Sequence, residues 1–314
     1  MDRKPVSVKS YANIAIVKYW GKADAERMIP STSSISLTLE NMYTETKLSF
    51  LPEDATGDVM YIDDELQGEK ETTKASKVLD LFRTNPNQHV KIETWNNMPT
   101  AAGLSSSSSG LSALVKAANE LFQVGKTQSE LAQIAKFASG SSSRSFFGPL
   151  AAWDKDSGEV YQVETDLKLA MIMLVLTDKK KPVSSRDGMK LCTETSTSFP
   201  EWIKQSEQDY EDMLGYLKSN DFQAVGELTE ANALRMHQTT STANPPFSYL
   251  TDASYQAMDK VKALRASGEQ CYFTMDAGPN VKVLCLEEDL DRLADHFRKD
   301  YQVIVSRTKE LPDA

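Results

Sequence analysis

The sequence is poor in cysteine. Its 314 residues hold three, Cys192, Cys271 and Cys285, and no CxxC pair. An odd, scattered set excludes a disulfide-stapled scaffold and a structural zinc site. Long apolar runs are missing too. No window of 18 apolar residues occurs, which excludes a membrane-spanning helix. Charges break up the opening MDRKPVSVKSYANIAIVKYWGK, so no secretory signal is expected and the cytoplasm is the expected compartment. Positive charge is in deficit: Lys and Arg total 35 against 45 Asp and Glu, a net charge of -10. A nucleic-acid backbone would be repelled, so no nucleic-acid partner and no membrane partner are expected, while a local basic pocket for a small anion is allowed. Two familiar signatures are also absent. A Walker A loop ending in Gly125-Lys126-Thr127 would need glycine where the chain has Glu120, and there is no GxSxG. His89, His237 and His296 lie in unrelated contexts and read as surface or helix histidines rather than catalytic bases. No internal repeat is evident.

What is present is an ordinary globular composition, 40% hydrophobic and 25% charged, enough for one large or two medium domains. The first part reads mostly as strands: ISLTLE (35–40), TKLSFL (46–51), VMYID (59–63) and HVKIETW (89–95). Helical spacing shows in KASKVLDLFR (74–83). It is stronger in GLSALVKAANELFQV, where Leu111, Leu114, Val115, Ala118, Leu121 and Phe122 share one face. TQSELAQIAKFA (127–138) opens with Thr127 and has Glu130 three residues on, a capping box. PLAAW (149–153), EVYQVE (159–164) and LAMIMLVLT (169–177) read as strands, the last one buried. Near Asp178 the composition changes. Three long helical stretches follow, then two strands around a turn in CYFTMDAGPNVKVLCL, a helix in LDRLADHFRK and a last strand, YQVIVS. The expected class is α+β, with domains over 1–180 and 181–314.

The stretch PTAAGLSSSSSG, from Pro99 to Gly110, lies between the strand ending at Trp95 and a helix expected to begin by about Ser106. A small-residue loop opening a helix presents unpaired N–H groups and the positive end of the helix dipole, which together attract anions. From position alone, a serine-rich helix cap and a phosphate-gripping loop are both open. Its neighbours favour the second. Pro99-x-x-x-Gly103-Leu104-Ser105-Ser106-Ser107 resembles the phosphate-binding motif of the GHMP kinase superfamily, usually PxxxGLxSS. Four more segments resemble the diphosphomevalonate decarboxylase family: Asn13-Ile-Ala-x-x-Lys18-Tyr19-Trp20-Gly21-Lys22, Ser139-Gly140-Ser141-Ser142-Ser143-Arg144-Ser145, Val183-Ser184-Ser185-Arg186-Asp187-Gly188-Met189 and Met275-Asp276-Ala277-Gly278-Pro279-Asn280. All five fall in the family's order. The chain departs from the pattern at Ser142-Ser143, where the family commonly has Ala-Cys. Arg186 stands where eukaryotic members usually carry threonine, which is similar to bacterial enzymes.

The resemblance implies a GHMP kinase fold. Its N-terminal domain would be similar to ribosomal protein S5 domain 2, its C-terminal domain ferredoxin-like, with the active site in the cleft between. It implies that ATP and (R)-5-diphosphomevalonate become isopentenyl diphosphate, ADP, phosphate and CO2, with Mg2+, in a homodimer. It casts Asp276 beside the C3 hydroxyl, Lys18 at the reacting phosphate, Arg144 on the carboxylate and Asn13 as an ordering group. Substrate contacts are implied for Tyr19, Trp20, Gly21, Lys22, Lys74, Ser139, Gly140, Ser141, Ser142, Ser143, Ser185 and Arg186. The nucleotide falls to Asn96, Pro99, Thr100, Ala101, Ala102, Gly103, Leu104, Ser105, Ser106, Ser107 and Ser108, with Ser106 and Ser107 toward Mg2+. Planar guanidinium suits a carboxylate, and phosphoryl transfer is mainly positioning and charge neutralisation. Without the resemblance, Lys18 reads as an edge-strand lysine on a solvated face, Lys74 as a solvated helix lysine, Trp20 as core and Asp276 as a turn former. Three alternatives stand: a GHMP small-molecule kinase that stops after phosphorylation, a binding protein that kept the fold, and a nucleic-acid binder with an S5-like domain, which the net charge of -10 opposes. The second would be marked by loss of Asp276, Arg144 or the loop serines, and all are present.

Overall fold

The computed structural model describes residues 4–98, 106–177, 179 and 181–311. Nine strands form its first half: β1 (Val6–Val17), β2 (Lys22–Asp24), β3 (Ile29–Pro30), β4 (Ser34–Phe50), β5 (Val59–Ile62), β6 (Glu65–Leu66), β7 (Val90–Asn96), β8 (Leu150–Trp153) and β9 (Val160–Val163). Three helices accompany them: α1 (Glu69–Leu79), α2 (Ser106–Phe122) and α3 (Gln128–Ala138). All but β2 and β3 join one seven-stranded sheet in the order β6-β5-β7-β4-β8-β9, with β1 also paired to β4. The two strands expected over 35–40 and 46–51 are one. β4 runs through both and shifts register against β1 between the pairs Tyr11–Tyr43 and Asn13–Thr38, around the exposed Glu40 and Asn41. It pairs with β8 over Ser34–Leu37 and with β7 over Thr44–Phe50, so it spans the sheet.

The second half holds α4 (Ser185–Thr195), α5 (Phe199–Lys218), α6 (Phe222–Ser241), α7 (Asp252–Ala266) and α8 (Leu290–Arg298). Four antiparallel strands complete it: β10 (Leu169–Val175), β11 (Tyr272–Met275), β12 (Val281–Leu286) and β13 (Gln302–Arg307), in the order β11-β12-β10-β13. β10 is thus an inner strand of the second sheet, and the change of sheet falls between Val163 and Leu169, ahead of the boundary expected at 180/181. Both faces of β10 are covered: Met171 and Met173 pack into one cluster, Ala170, Ile172 and Leu174 into another. A continuous apolar run announces a buried strand without saying which sheet it joins. α4 was also not legible in KKKPVSSRDGMK; Ser184 starts it by accepting from the Asp187 N–H.

Four apolar clusters hold the fold. One lies under α1, α2 and α3, around Leu48, Ile92, Leu114, Leu121, Phe146 and Trp153. Another joins the two halves, bringing Ile14, Ile35 and Leu37 against Met171, Tyr210, Met213 and Leu284. A third packs α7 and α8 on the far face of the second sheet. The fourth surrounds Trp20 with Met189, Phe199, Trp202 and Met236. Each such side chain contributes about 1.5–3 kcal/mol on leaving water. Because the second and fourth clusters cross between halves, they fix the mouth between them. No helix among the described residues is long and apolar enough to cross a membrane.

Candidate active site

β1 ends at Val17, and the chain continues as Lys18-Tyr19-Trp20-Gly21 into the gap between the two sheets. The gap is a cleft of about 390 Å3. Gly21 turns the chain with φ +120°, and a Cβ there would meet Phe199 at 2.6 Å. Trp20 is buried, with its indole N–H donating to Thr239 Oγ1 at 2.9 Å, while part of its surface faces the cleft.

Lys18 is 2% exposed, which overturns its reading as a solvated edge lysine. Its ammonium donates to Ala15 O at 2.7 Å and to Asp276 Oδ1 at 2.8 Å. Asp276 follows β11, and Lys282 of β12 approaches its other oxygen at 3.0 Å. Burial alone would raise the Asp276 pKa. The Lys18 and Lys282 ammoniums outweigh it and hold the carboxyl well below the usual carboxylate range. Burial pushes Lys18 down to about 8 in spite of the Asp276 charge.

Arg144 sits in a 3-10 turn, Gly140–Phe146, directly after α3. It is 2% exposed and makes no ion pair with a carboxylate among the described residues. Its Nη1 donates to Ser34 Oγ at 2.6 Å, its Nε to Ser36 Oγ at 3.0 Å, and its Nη2 to Asn13 Oδ1 at 3.4 Å. Asn13 Nδ2 in turn donates to Ser141 O and Ser145 Oγ. Burial lowers the guanidinium to about 10, and it remains charged. A buried cation held only by neutral groups is costly unless an anion arrives. Beside it, the buried Tyr19 hydroxyl has no hydrogen-bond partner among the described residues. Burial raises this phenol to about 12. The Tyr19 ring lies against Gly140, where a Cβ would meet it at 2.9 Å.

The structure brings Asn13, Lys18, Tyr19, Trp20, Lys22, Ser107, Ser139, Gly140, Ser141, Arg144, Ser185, Arg186 and Asp276 to this cleft. Other expected residues stand elsewhere. Ser142 and Ser143 are buried and spend their hydroxyls on backbone carbonyls of α3 and of the turn itself. Lys74 is exposed on α1 and pairs with Glu71 at 2.9 Å, so the helix surface, not the cleft, holds it. Asn96 accepts from Thr44 Oγ1 and donates to Asp63 at the end of β7, away from the cleft lining. Ser108 is buried in α2. Pro99 to Ser105 lie outside the described residues, as does the side chain of Ser106.

Two cations were missed in the sequence. Lys181 lines the cleft, donates to Ser185 Oγ at 2.6 Å and to Ala277 O, and is lowered to about 8 by burial. Lys282 carried a usable signal: a lysine inside the apolar strand VKVLCL has no solvated face to turn to. Among the described residues the lining therefore has five cationic side chains, Lys18, Lys22, Lys181, Arg144 and Arg186, against the single carboxylate of Asp276. In a protein of net charge -10 this is a local inversion of sign, made for a polyanion. His237, buried on α6, is lowered to about 4 by burial and stays neutral near this pair.

Two packed α/β halves with an anion-binding cleft between them and a helix opening at a serine run define a protein of the GHMP kinase type. The comparisons sharpen this class. A model described as the diphosphomevalonate decarboxylase-like N-terminal domain matches residues 10–163, and one described as the mevalonate 5-diphosphate decarboxylase C-terminal domain matches residues 171–312. The chain therefore belongs to the diphosphomevalonate decarboxylase family. The diphosphomevalonate decarboxylase of Saccharomyces cerevisiae is 33% identical, with 91% of this chain and 79% of that one covered. The solved structure of mevalonate pyrophosphate decarboxylase from Streptococcus pyogenes is 67% identical, covers 100% of this chain and 99% of its own, and superposes with a TM-score of 0.97. A structure described as MDDEF in complex with MVAPP, AMPPCP and magnesium is 40% identical, covers 98% of each chain and has a TM-score of 0.90.

Proposed function

We propose that this chain phosphorylates the C3 hydroxyl of (R)-5-diphosphomevalonate with ATP and then expels phosphate and CO2, leaving isopentenyl diphosphate and ADP. The observation that carries the reading is Arg144, a buried guanidinium with no carboxylate partner among the described residues, opposite a carboxylate clamped between two lysines. Arg144 takes the substrate carboxylate in a planar, charge-assisted pair. Lys22, Arg186, Tyr19 and the Ser139–Ser141 segment take the diphosphate. Asp276 accepts the hydrogen bond of the C3 hydroxyl and aims its oxygen at the γ-phosphorus. Held at so low a pKa, it is a weak base, so the proton departs only as the new O–P bond forms. A loose phosphoryl transfer needs little more than this alignment, and Lys18 neutralises charge on the moving group.

The tertiary C3–O bond then breaks, and phosphate leaves with its electron pair. The C1–C2 pair becomes the C2–C3 double bond as CO2 departs. Arg144 keeps the carboxylate in place and desolvated, so its electrons can move only toward C3.

Mg2+ and ATP fit the residues present. Mg2+ is usually held by one or two carboxylates or hydroxyls together with substrate phosphates. Ser107 is a hydroxyl that the lining offers near the start of α2, and with Ser106 it would hold the ion. Bound there, Mg2+ supplies neutralisation of phosphate charge. The 99–108 segment, with Ser105, Ser106 and Ser107, cradles the nucleotide phosphates. The reading extends to a homodimer in the cytoplasm. The family resemblance supports the first, and three buried free cysteines suit a reducing compartment.

The test is to incubate the protein with Mg-ATP and (R)-5-diphosphomevalonate and count ADP, free phosphate and CO2 together. Equal amounts of all three are expected. ADP with neither free phosphate nor CO2 would mean a kinase that stops at the 3-phosphate. Sedimentation of the purified protein at twice the mass of one chain would bear out the dimer, and sedimentation at a single chain's mass would refute it.

A further inference from the structure

The first backbone N–H beyond β1 belongs to Lys18, and it does not bond within the sheet. It donates to Asn232 Oδ1 on α6 at 2.8 Å. Asn232 is fully buried, and its Nδ2 donates to Asp209 Oδ2 on α5 at 2.7 Å. Asp209 is 0% exposed. It also accepts from Arg235 on Oδ2 and from Gln205 on Oδ1 at 3.2 Å. The Lys18 carbonyl is held as well, accepting from Thr32 Oγ1 at 3.1 Å.

We infer that Asn232 and Asp209 are positioning residues for the reaction, setting the Lys18 ammonium at its place on Asp276. The inference rests on the assignment of the Lys18–Asp276 pair to the reacting hydroxyl. The chemistry of the chain of bonds permits one arrangement. A backbone N–H only donates, and a carboxylate only accepts. The Asn232 amide between them must therefore turn its oxygen to Lys18 and its nitrogen to Asp209. A flipped amide would set oxygen against carboxylate and nitrogen against N–H. Asp209 thus selects the orientation of Asn232, and Asn232 fixes the backbone of Lys18.

The placement is also one that packing would not favour. A carboxylate buried between two helices is expensive, and apolar residues of similar size commonly close such a contact at no loss of stability. What the carboxylate adds is direction. Lys18 stands on the N-terminal half, Asp276 on the C-terminal sheet, and Asn232 on a helix packed against both. A shift of the Lys18 backbone would carry its ammonium off Asp276, and the reacting geometry tolerates little of that.

The experiment compares Asn232→Leu, Asn232→Asp, and Asn232→Asp combined with Asp209→Asn. Asn232→Leu keeps the volume and removes the acceptor. Its kcat is expected to fall about tenfold, the size of one lost buried hydrogen bond felt in the transition state, while the Kd for (R)-5-diphosphomevalonate stays within about twofold. Asn232→Asp alone sets two carboxylates face to face and should fare worse. Adding Asp209→Asn exchanges donor and acceptor, gives the carboxylate at position 232 an amide donor in place of a facing carboxylate while it still accepts from the Lys18 N–H, and should return kcat to within about threefold of wild type. Amide hydrogen exchange over residues 14–22 gives a readout independent of turnover, and Asn232→Leu should accelerate exchange at Lys18 at least tenfold. A folded Asn232→Leu protein with wild-type kcat, a parallel loss of kcat and Kd, or a folded double variant as slow as Asn232→Asp would overturn the inference. If the wild-type protein released no CO2, the functional reading would fall. Unchanged exchange at Lys18 would then separately sink the positioning role.

Discussion

Replacing Arg144 by methionine separates a functional cation from a structural one. Burial lowers the guanidinium from 12.5 to about 10, and it is still charged at neutral pH. At about 1.4 kcal/mol per tenfold change in proton affinity, keeping that charge in the cleft wall costs on the order of 3 kcal/mol. Methionine matches the length of the stem and removes the cost. It also deprives Ser34 Oγ, Ser36 Oγ and Asn13 Oδ1 of their donors. At roughly 1 kcal/mol for each lost bond, and with two hydroxyls free to turn to other acceptors, the losses nearly cancel the gain. Folding stability of Arg144→Met should therefore lie within about 1.5 kcal/mol of wild type. Catalysis should not escape. Loss of a preorganised charge-assisted contact to the carboxylate is worth roughly 3–4 kcal/mol, or 10²–10³ in rate. The assays are thermal unfolding with and without (R)-5-diphosphomevalonate, and CO2 release from carboxyl-labelled substrate. The ligand-free melt should hold, the ligand-induced rise in Tm should shrink, and the rate should collapse. A variant that loses 3 kcal/mol or more of stability yet turns over within a few-fold of wild type would refute the reasoning, because Arg144 would then be a framework residue.

Three further outcomes are expected. Lys18 and Lys181 are both lowered to about 8 by burial, so they are charged below that pH and lose their protons above it. Affinity for the anionic substrate should hold to pH 8 and then fall, by up to about tenfold per pH unit for each group. Binding near pH 8 should take up protons, since the anion raises both pKa values. Calorimetry in buffers of different ionisation heat measures both effects, and a flat profile from pH 7 to 9.5 would contradict them. Gly140→Ala places a Cβ 2.9 Å from the rings of both Trp153 and Tyr19. It should cost about 1–3 kcal/mol and weaken substrate binding by displacing Tyr19; an unchanged melt and Kd would show that the turn yields freely. Lys74→Ala removes an exposed pair with Glu71 and should leave stability within about 0.5 kcal/mol and kcat within twofold. A large rise in KM would restore Lys74 to the substrate site.

Local signals were read well where one residue's chemistry suffices. The capping box of Thr127 and Glu130 starts α3, and the described part of the serine run, from Ser106 on, is helical. The apolar spacing from Leu111 to Phe122 is the buried face of α2, with Leu114, Val115, Ala118 and Leu121 all in the core. Signals that depend on a distant partner were read poorly. The run 169–177 is a strand, yet its place inside the second sheet depends on β12 and β13, more than 100 residues on. Without the family resemblance Lys18 looks solvated, because an alternating pattern cannot show that Asp276, 258 residues away, will meet it. The family pattern that sets Lys74 and Asn96 near ligand likewise does not show the partners they have here, Glu71 for Lys74 and Thr44 for Asn96.

The sequence by itself determined which helices and strands form, and supplied the motifs that name the family. These depend on periodicity, caps and short residue strings, all confined to a few turns of chain. Tertiary structure alone decided which charges matter. It set Asp276 between two buried lysines, left Arg144 among neutral hydroxyls, and gathered five cations into the cleft of an acidic protein. The reason is physical. The energy of a charge depends on its burial and on what stands within a few ångströms of it, and both are set by contacts between segments far apart in the chain.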